Sequence, residues 1–162
     1  MRIKVLIALI TAIGICPNYA RAQGRDVPVP AACGPQVNAK LQEMIRSDSR
    51  GYVENVMACG IATGTRMNHG GQHGSHHIIT LRVMLPEDGP VNIQIAVNDN
   101  LSGAVSARPG DSVFAYGQGY IAHGAWSAGI HDVHCATHRS ADNGWVVVNG
   151  IKSPSSCVGR FR

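Results

Sequence analysis

From Gly51 onward the apolar residues recur at every second position. Met57, Cys59, Ile61, Thr63 and Thr65 alternate with their neighbours. His77, Ile79, Leu81, Val83 and Leu85 then share one face, with Ile78, Thr80, Arg82 and Met84 on the other, and Val91, Ile93, Ile95 and Val97 continue the pattern. A period of two puts successive side chains on opposite faces of an extended chain, so this region predicts half-buried β-strands. Its punctuation is regular: a Gly- and His-rich loop at 68–75, the turn at 86–90, and Pro109-Gly110-Asp111. Ser112 to Ile121 reads as a strand in which Gly117 and Gly119 suggest a bulge or sharp bend. The last pair would be 130–134 and 145–151. Five to six short antiparallel strands within about 53–151 predict a mainly β fold, a small partly open OB-like barrel.

The region before it has a different period. Pro28 and Pro30 forbid helix in an extended lead-in. Pro35 suits a first helical position, and Val37, Leu41, Met44 and Ile45 follow at helical spacing, with Lys40, Glu43 and Arg46 on the other side. Gly51 is a plausible stop, so the spacing predicts one amphipathic helix over about 36–48.

The first residues read as a secretory leader. Two positive charges, Arg2 and Lys4, precede an apolar run from Val5 to Cys16, and Ala20-Arg21-Ala22 is a small-x-small site. The run is shorter than a membrane span needs. Expected is cleavage after Ala22, a single domain over 23–162 with no further transmembrane segment, and a destination in the periplasm or medium. Three of the 14 Lys and Arg fall in the leader and all 10 acids lie beyond it, so the remaining chain carries 11 positive against 10 negative charges. That balance excludes the strongly basic profile of a nucleic-acid-binding domain. Cys33, Cys59, Cys135 and Cys157 form an even set, which in an exported chain predicts two disulfides; the local pairing Cys33–Cys59 and Cys135–Cys157 is preferred among three connectivities.

All eight histidines lie between His69 and His138, and the densest stretch is His131-Asp132-Val133-His134-Cys135-Ala136-Thr137-His138. As a helix it would put His131, His134 and His138 on one face; as a strand it would put His131 and His134 on opposite faces. Gly124, Gly129 and the valines favour a strand that runs out into a loop around Cys135.

Several motifs in this order resemble a family of small exported bacterial proteins known only as a domain of unknown function. Its pattern includes a "G…HQ" strand, "IAHNID", "L..GD.V.F.GEY" and "GGVIHWTHHDP…H..GW". The matching pieces are Gly74-Ser75-His76-His77, Ile95-Ala96-Val97-Asn98-Asp99-Asn100, Gly110-Asp111 with Val113, Gly117-Gln118, Gly129-Ile130-His131 with His134, and Gly144-Trp145, over about Val56 to Gly150. The departures are Val97 for a His, Cys135-Ala136-Thr137 for "HDP", and Ala141 for a later His. The resemblance implies that His77, Asn98, Asp111, His131, His134, Gly144 and Trp145 carry over, on a compact, mainly β domain without an assigned chemistry.

Three functions compete. Zinc or another divalent metal would take about four N, S or O ligands, and His77, His131, His134 and His138 are the candidates. A metal-free phosphodiesterase would use two histidines, His77 and His131 with His134 beside them, as acid and base, with Asp132 or Asp111 as orienter and Arg82 as anion clamp. Against this, Asp111 follows Pro-Gly and suits an Asx-type turn, and Arg82 alternates outward. A binding module, for a polyanionic or other oligomeric ligand, would use Tyr116, Tyr120, Trp126 and Trp145 for stacking and Arg82 and Arg108 for charge. With no Gly-x-Ser-x-Gly, no Cys-x-x-Cys-His and no complete Gly-rich phosphate loop, a serine nucleophile, covalent haem attachment and a phosphate-binding loop have no motif to support them. The sequence ranks a ligand- or metal-binding module first and the phosphodiesterase second, on a surface around His77, Asn98, His131 and His134.

Overall fold

The computed structural model describes residues 24–71, 74–138 and 140–157; the leader and His73 lie outside them. Seven strands form one sheet: β1 (Tyr52–Gly71), β2 (Gly74–Leu85), β3 (Gly89–Asn98), β4 (Ser112–Ile121), β5 (Ala128–His131), β6 (Trp145–Val148) and β7 (Ile151–Ser153). The order is β1-β2-β3-β5-β4-β6-β7, and a further pairing of β1 with β4 closes a ring through five strands. The mainly β, partly open barrel-like fold expected from the alternation is therefore present, with two corrections. Among the described residues there are seven strands instead of five to six, because β7 is a three-residue strand beyond Val148. And the sheet is mixed: β3 and β5 pair parallel. Strict alternation of direction cannot close an odd-membered ring, so one neighbouring pair has to run the same way.

The alternating residues fill the ring. Ile79, Leu81, Val83, Leu85, Ile93, Ile95, Val97, Val113, Ala115, Ala128 and Ile130 are buried in one cluster with Val56 and Ala58 of β1. The N-terminal helix opens as a 3-10 turn, Pro35–Asn38, and becomes α1 (Ala39–Arg46), two residues shorter than expected at its end because Asp48 already takes a left-handed conformation at φ 45. Leu41 and Met44 of α1 enter the same core. Asn38, buried, fixes the helix to the barrel: its amide donates to the carbonyls of Cys59 and Met84 (3.1 and 2.9 Å), and its oxygen accepts from the Cys59 backbone (2.7 Å). Both disulfides have the local pairing, Cys33–Cys59 and Cys135–Cys157.

Strand β4 is forked. One edge pairs with β1 along nearly its whole length, and the other is divided between β6 at Val113–Tyr116 and β5 at Gln118–Ile121. The glycines expected to bend this strand serve close approach instead. A side chain at Gly117 would strike the His131 carbonyl, and one at Gly119 would strike Met44 and Val56. The bulge sits opposite, in β1 between Val53 and Val56, where Asn55 adopts φ 61. At the fork, the chain between β5 and β6 leaves the sheet, and that loop carries the dense histidine stretch.

The lead-in is extended and laced onto this loop. Asn143 donates to the Gly24 carbonyl and to Asp26 (both 2.9 Å), the Trp145 indole donates to the Val27 carbonyl (2.8 Å), and Arg25 grips Asp142 with two hydrogen bonds. Val27 and Val29 cover a second apolar cluster of Tyr116, Trp145 and Val147.

Candidate functional site

Strand β5 ends at His131, and Asp132 follows at φ 55, a left-handed conformation that costs energy for a residue with a side chain. The strand-into-loop reading of 126–138 is the one observed. Asp132 reverses the chain there, so His131 and His134 do not point to opposite sides. One carboxylate oxygen of Asp132 meets both imidazoles, at 3.0 Å from His131 Nδ1 and 3.5 Å from His134 Nε2. Gly144 makes room for the turn: a side chain there would overlap the Asp132 carbonyl, and its amide donates to the His134 carbonyl at 2.8 Å.

The two imidazoles hold the Asp132 carboxyl well below the usual carboxylate range, the His131 hydrogen bond being the larger cause and that of His134 the second; burial opposes them. A carboxyl that ionises more readily when folded contributes stability above its unfolded pKa of about 3.9, and that contribution is lost as pH falls towards the folded value. Below about pH 4 the wild type is thus expected to lose stability more steeply than Asp132→Asn. Urea midpoints between about pH 2 and 5 check this; parallel curves for the two proteins would remove the Asp132–imidazole coupling.

His131, Asp132 and His134 line a cavity of about 410 Å³ on the outer face of the barrel, with Tyr52, His76, Asn98 and Thr137 among the other lining residues. His76 and Asn98 are cross-strand partners on β2 and β3, and the Asn98 amide nitrogen stands 3.4 Å from His76 Nε2. His76 Nδ1 donates to the Gly74 carbonyl (3.1 Å), which leaves Nε2 as the acceptor. The His134 ring is fixed at its other nitrogen, where Nδ1 donates to the Cys135 carbonyl at 2.8 Å. His131 Nδ1 faces Asp132, whereas its Nε2 is buried and has no hydrogen-bond partner among the described residues. The rings of Tyr52 and Tyr120 pack on this imidazole, with centroids 4.7 and 5.6 Å away.

Of the residues singled out from sequence, His131, His134 and Asn98 come together at this cavity. His77 does not: it pairs with the core residue Val97, so it stands on the inner face, and its Nδ1 bonds Asp99 at 2.6 Å. Asp99 belongs to a short helix, α2 (Asp99–Ser102), which Asn98 caps by accepting from the Asn100 amide (3.0 Å). His138 lines a smaller hollow next door, of about 50 Å³, and bonds Ser140. Asp111 accepts from the Arg108 backbone and the Asn149 side chain and is a turn residue. Arg82 and Arg108 are exposed. Trp145 is fully buried and stacks on Tyr116, so neither offers a free platform, while Tyr120 accepts from Gln94. His76 and Tyr52 are the residues that sequence reasoning passed over. Among the described residues, no three of His, Cys, Asp and Glu stand in metal-ligating geometry.

The chain matches no protein-family model, no curated protein and no solved structure.

Proposed function

We propose that this protein is an exported binding module whose ligand sits on the outer face of the barrel, in the cavity between Tyr52, His76, Asn98, His131 and His134. The observation that carries this reading is the His131 imidazole, which lines that cavity: one nitrogen is fixed by Asp132, and the other is enclosed without a partner among the described residues. A buried polar atom left unpaired is costly and calls for a reason; a ligand that displaces the exposed Tyr52 ring packed on this imidazole would reach and pair it. Two disulfides suit the oxidising compartments reached by export, and no described helix is long and apolar enough to cross a membrane.

The binding reading is favoured over the phosphodiesterase. Among the described residues no Arg or Lys lines the cavity, and the ionised Asp132 opposes an anionic substrate. His77, the partner proposed for His131, bonds Asp99 on the other side of the sheet. A zinc site draws no support from the arrangement, since the His134 nitrogens and His131 Nδ1 are already directed at oxygens; elemental analysis of tag-free protein tests it, and stoichiometric zinc lost in His131→Ala would reinstate it.

The experiment for the binding reading is an amide NMR titration with an oligosaccharide, a single-stranded oligonucleotide and zinc chloride in turn. Expected are shift changes concentrated at residues 52, 76, 98, 131 and 134 for one probe class, abolished by His131→Ala in a protein that stays folded. Binding that survives His131→Ala, shifts that map elsewhere, or no response to any class would overturn it.

A further inference from the structure

The cavity at His131 does not stand alone. A hollow of about 490 Å³ beside it, formed by 48–52 with Tyr120, Ile121 and His123, shares Tyr52 with it. On the other side the small hollow at His138 shares Asp132, His134 and Thr137 with it. A further hollow, of about 220 Å³ around Arg25 and Ser140, shares Glu54, Asn55 and Asp142 with that one. Four depressions are therefore linked through shared walls, from the end of α1 to the laced lead-in.

The lining decides what such a groove takes. It carries four carboxylates, Asp48, Glu54, Asp132 and Asp142, against two guanidinium groups, Arg25 and Arg50, and Arg25 is already gripped by Asp142. Nucleic acids and acidic polysaccharides meet net repulsion there. What remains are planar amide, imidazole and carboxylate side chains, Asn55, Asn98, Gln118 and Asp132 among them, and an aromatic ring, Tyr52, that is 66% exposed at the junction of the two larger hollows. Planar hydrogen-bonding groups match vicinal hydroxyls, and an exposed ring covers the C–H face of a pyranose.

Resting on the binding reading above, we propose that the groove holds an uncharged, hydroxyl-rich oligosaccharide lying lengthwise, with Tyr52 as its stacking platform between two sugar subsites. Barrels of this general kind use a strand face and the adjoining loops for oligosaccharides. The proposal differs from a single-cavity binder in one measurable respect, which is that affinity depends on chain length.

The test is calorimetric and NMR titration of the wild type with cello- and chito-oligosaccharides of two to six units, with an oligogalacturonate and a single-stranded oligonucleotide as acidic comparators. Expected is at least about a ten-fold gain in affinity from disaccharide to hexasaccharide for one neutral series, and a loss of about ten-fold for the hexasaccharide in Tyr52→Ala, as for removal of one stacking ring. Shifts should spread from residues 48–52 to 138–142. Tyr52 is exposed, so the variant should fold; a urea midpoint equal to that of the wild type verifies this. Saccharide binding that does not change with length and shifts only the His131 cavity overturns the groove and leaves the binding reading standing. Tighter binding of an acidic comparator at the same residues overturns the ligand class alone. No shift at 52, 76, 98, 131 or 134 with any probe overturns both.

Discussion

Replacing Trp145 by alanine is expected to destabilise the protein by about 3–5 kcal/mol, in the range for large buried side chains. Trp145 is completely buried, its ring centroid lies 5.9 Å from that of Tyr116 in a stacked arrangement, and its indole nitrogen donates to the Val27 carbonyl. Three losses coincide: the packing of the second core cluster, the hydrogen bond, and the hold on the lead-in through Val27 and Val29. Against a typical domain stability of about 5–15 kcal/mol this is a large share, and the melting temperature should fall by about 10 °C or more. Urea and thermal unfolding measure it. A change below about 1 kcal/mol would mean that the lead-in and the second cluster contribute little.

The second large effect is expected from Cys33→Ser with Cys59→Ser. The bridge closes a loop with a sequence separation of 26, and in the chain-entropy account a loop of this size stabilises by about 3 kcal/mol. Cys59 is also the residue to which Asn38 is bonded through both its backbone groups, so the bridge and the amide act on the same few atoms that attach α1 to β1. The double variant should show a urea midpoint lowered in proportion and earlier loss of helix than of sheet by circular dichroism. An unchanged midpoint would show that the Asn38 contacts alone hold the helix.

The fold was legible because its strands alternate so strictly: the inward residues of β2 and β3 are the ones whose spacing marked them. The parallel pair was not legible, since it follows from ring closure and carries no local signature. The disulfide pairing was readable from proximity in the chain. For the site, the same alternation held information that went unused. Placing His77 on the face of Ile79 and Leu81 also places it against the core, and it leaves His76 on the outer face with Asn98. Tyr52 was hidden for another reason: β1 starts several residues before its clear alternation, and the bulge at Asn55 breaks the period between them. The meeting of His131 and His134 depends on one backbone angle at Asp132, and no periodicity encodes an angle.

A five-membered ring has one place where direction must repeat, and here it is joined by three residue pairs only, from Ile93 with Ala128 to Ile95 with Ile130. That is the thinnest stitching in the wall, and the His131 cavity lies across its end, with Ala96 and Asn98 on one bank and His131 on the other. A ligand held there, as proposed, would rivet the two banks together. Recognition and the mechanical closure of the barrel would then be a single property of the molecule.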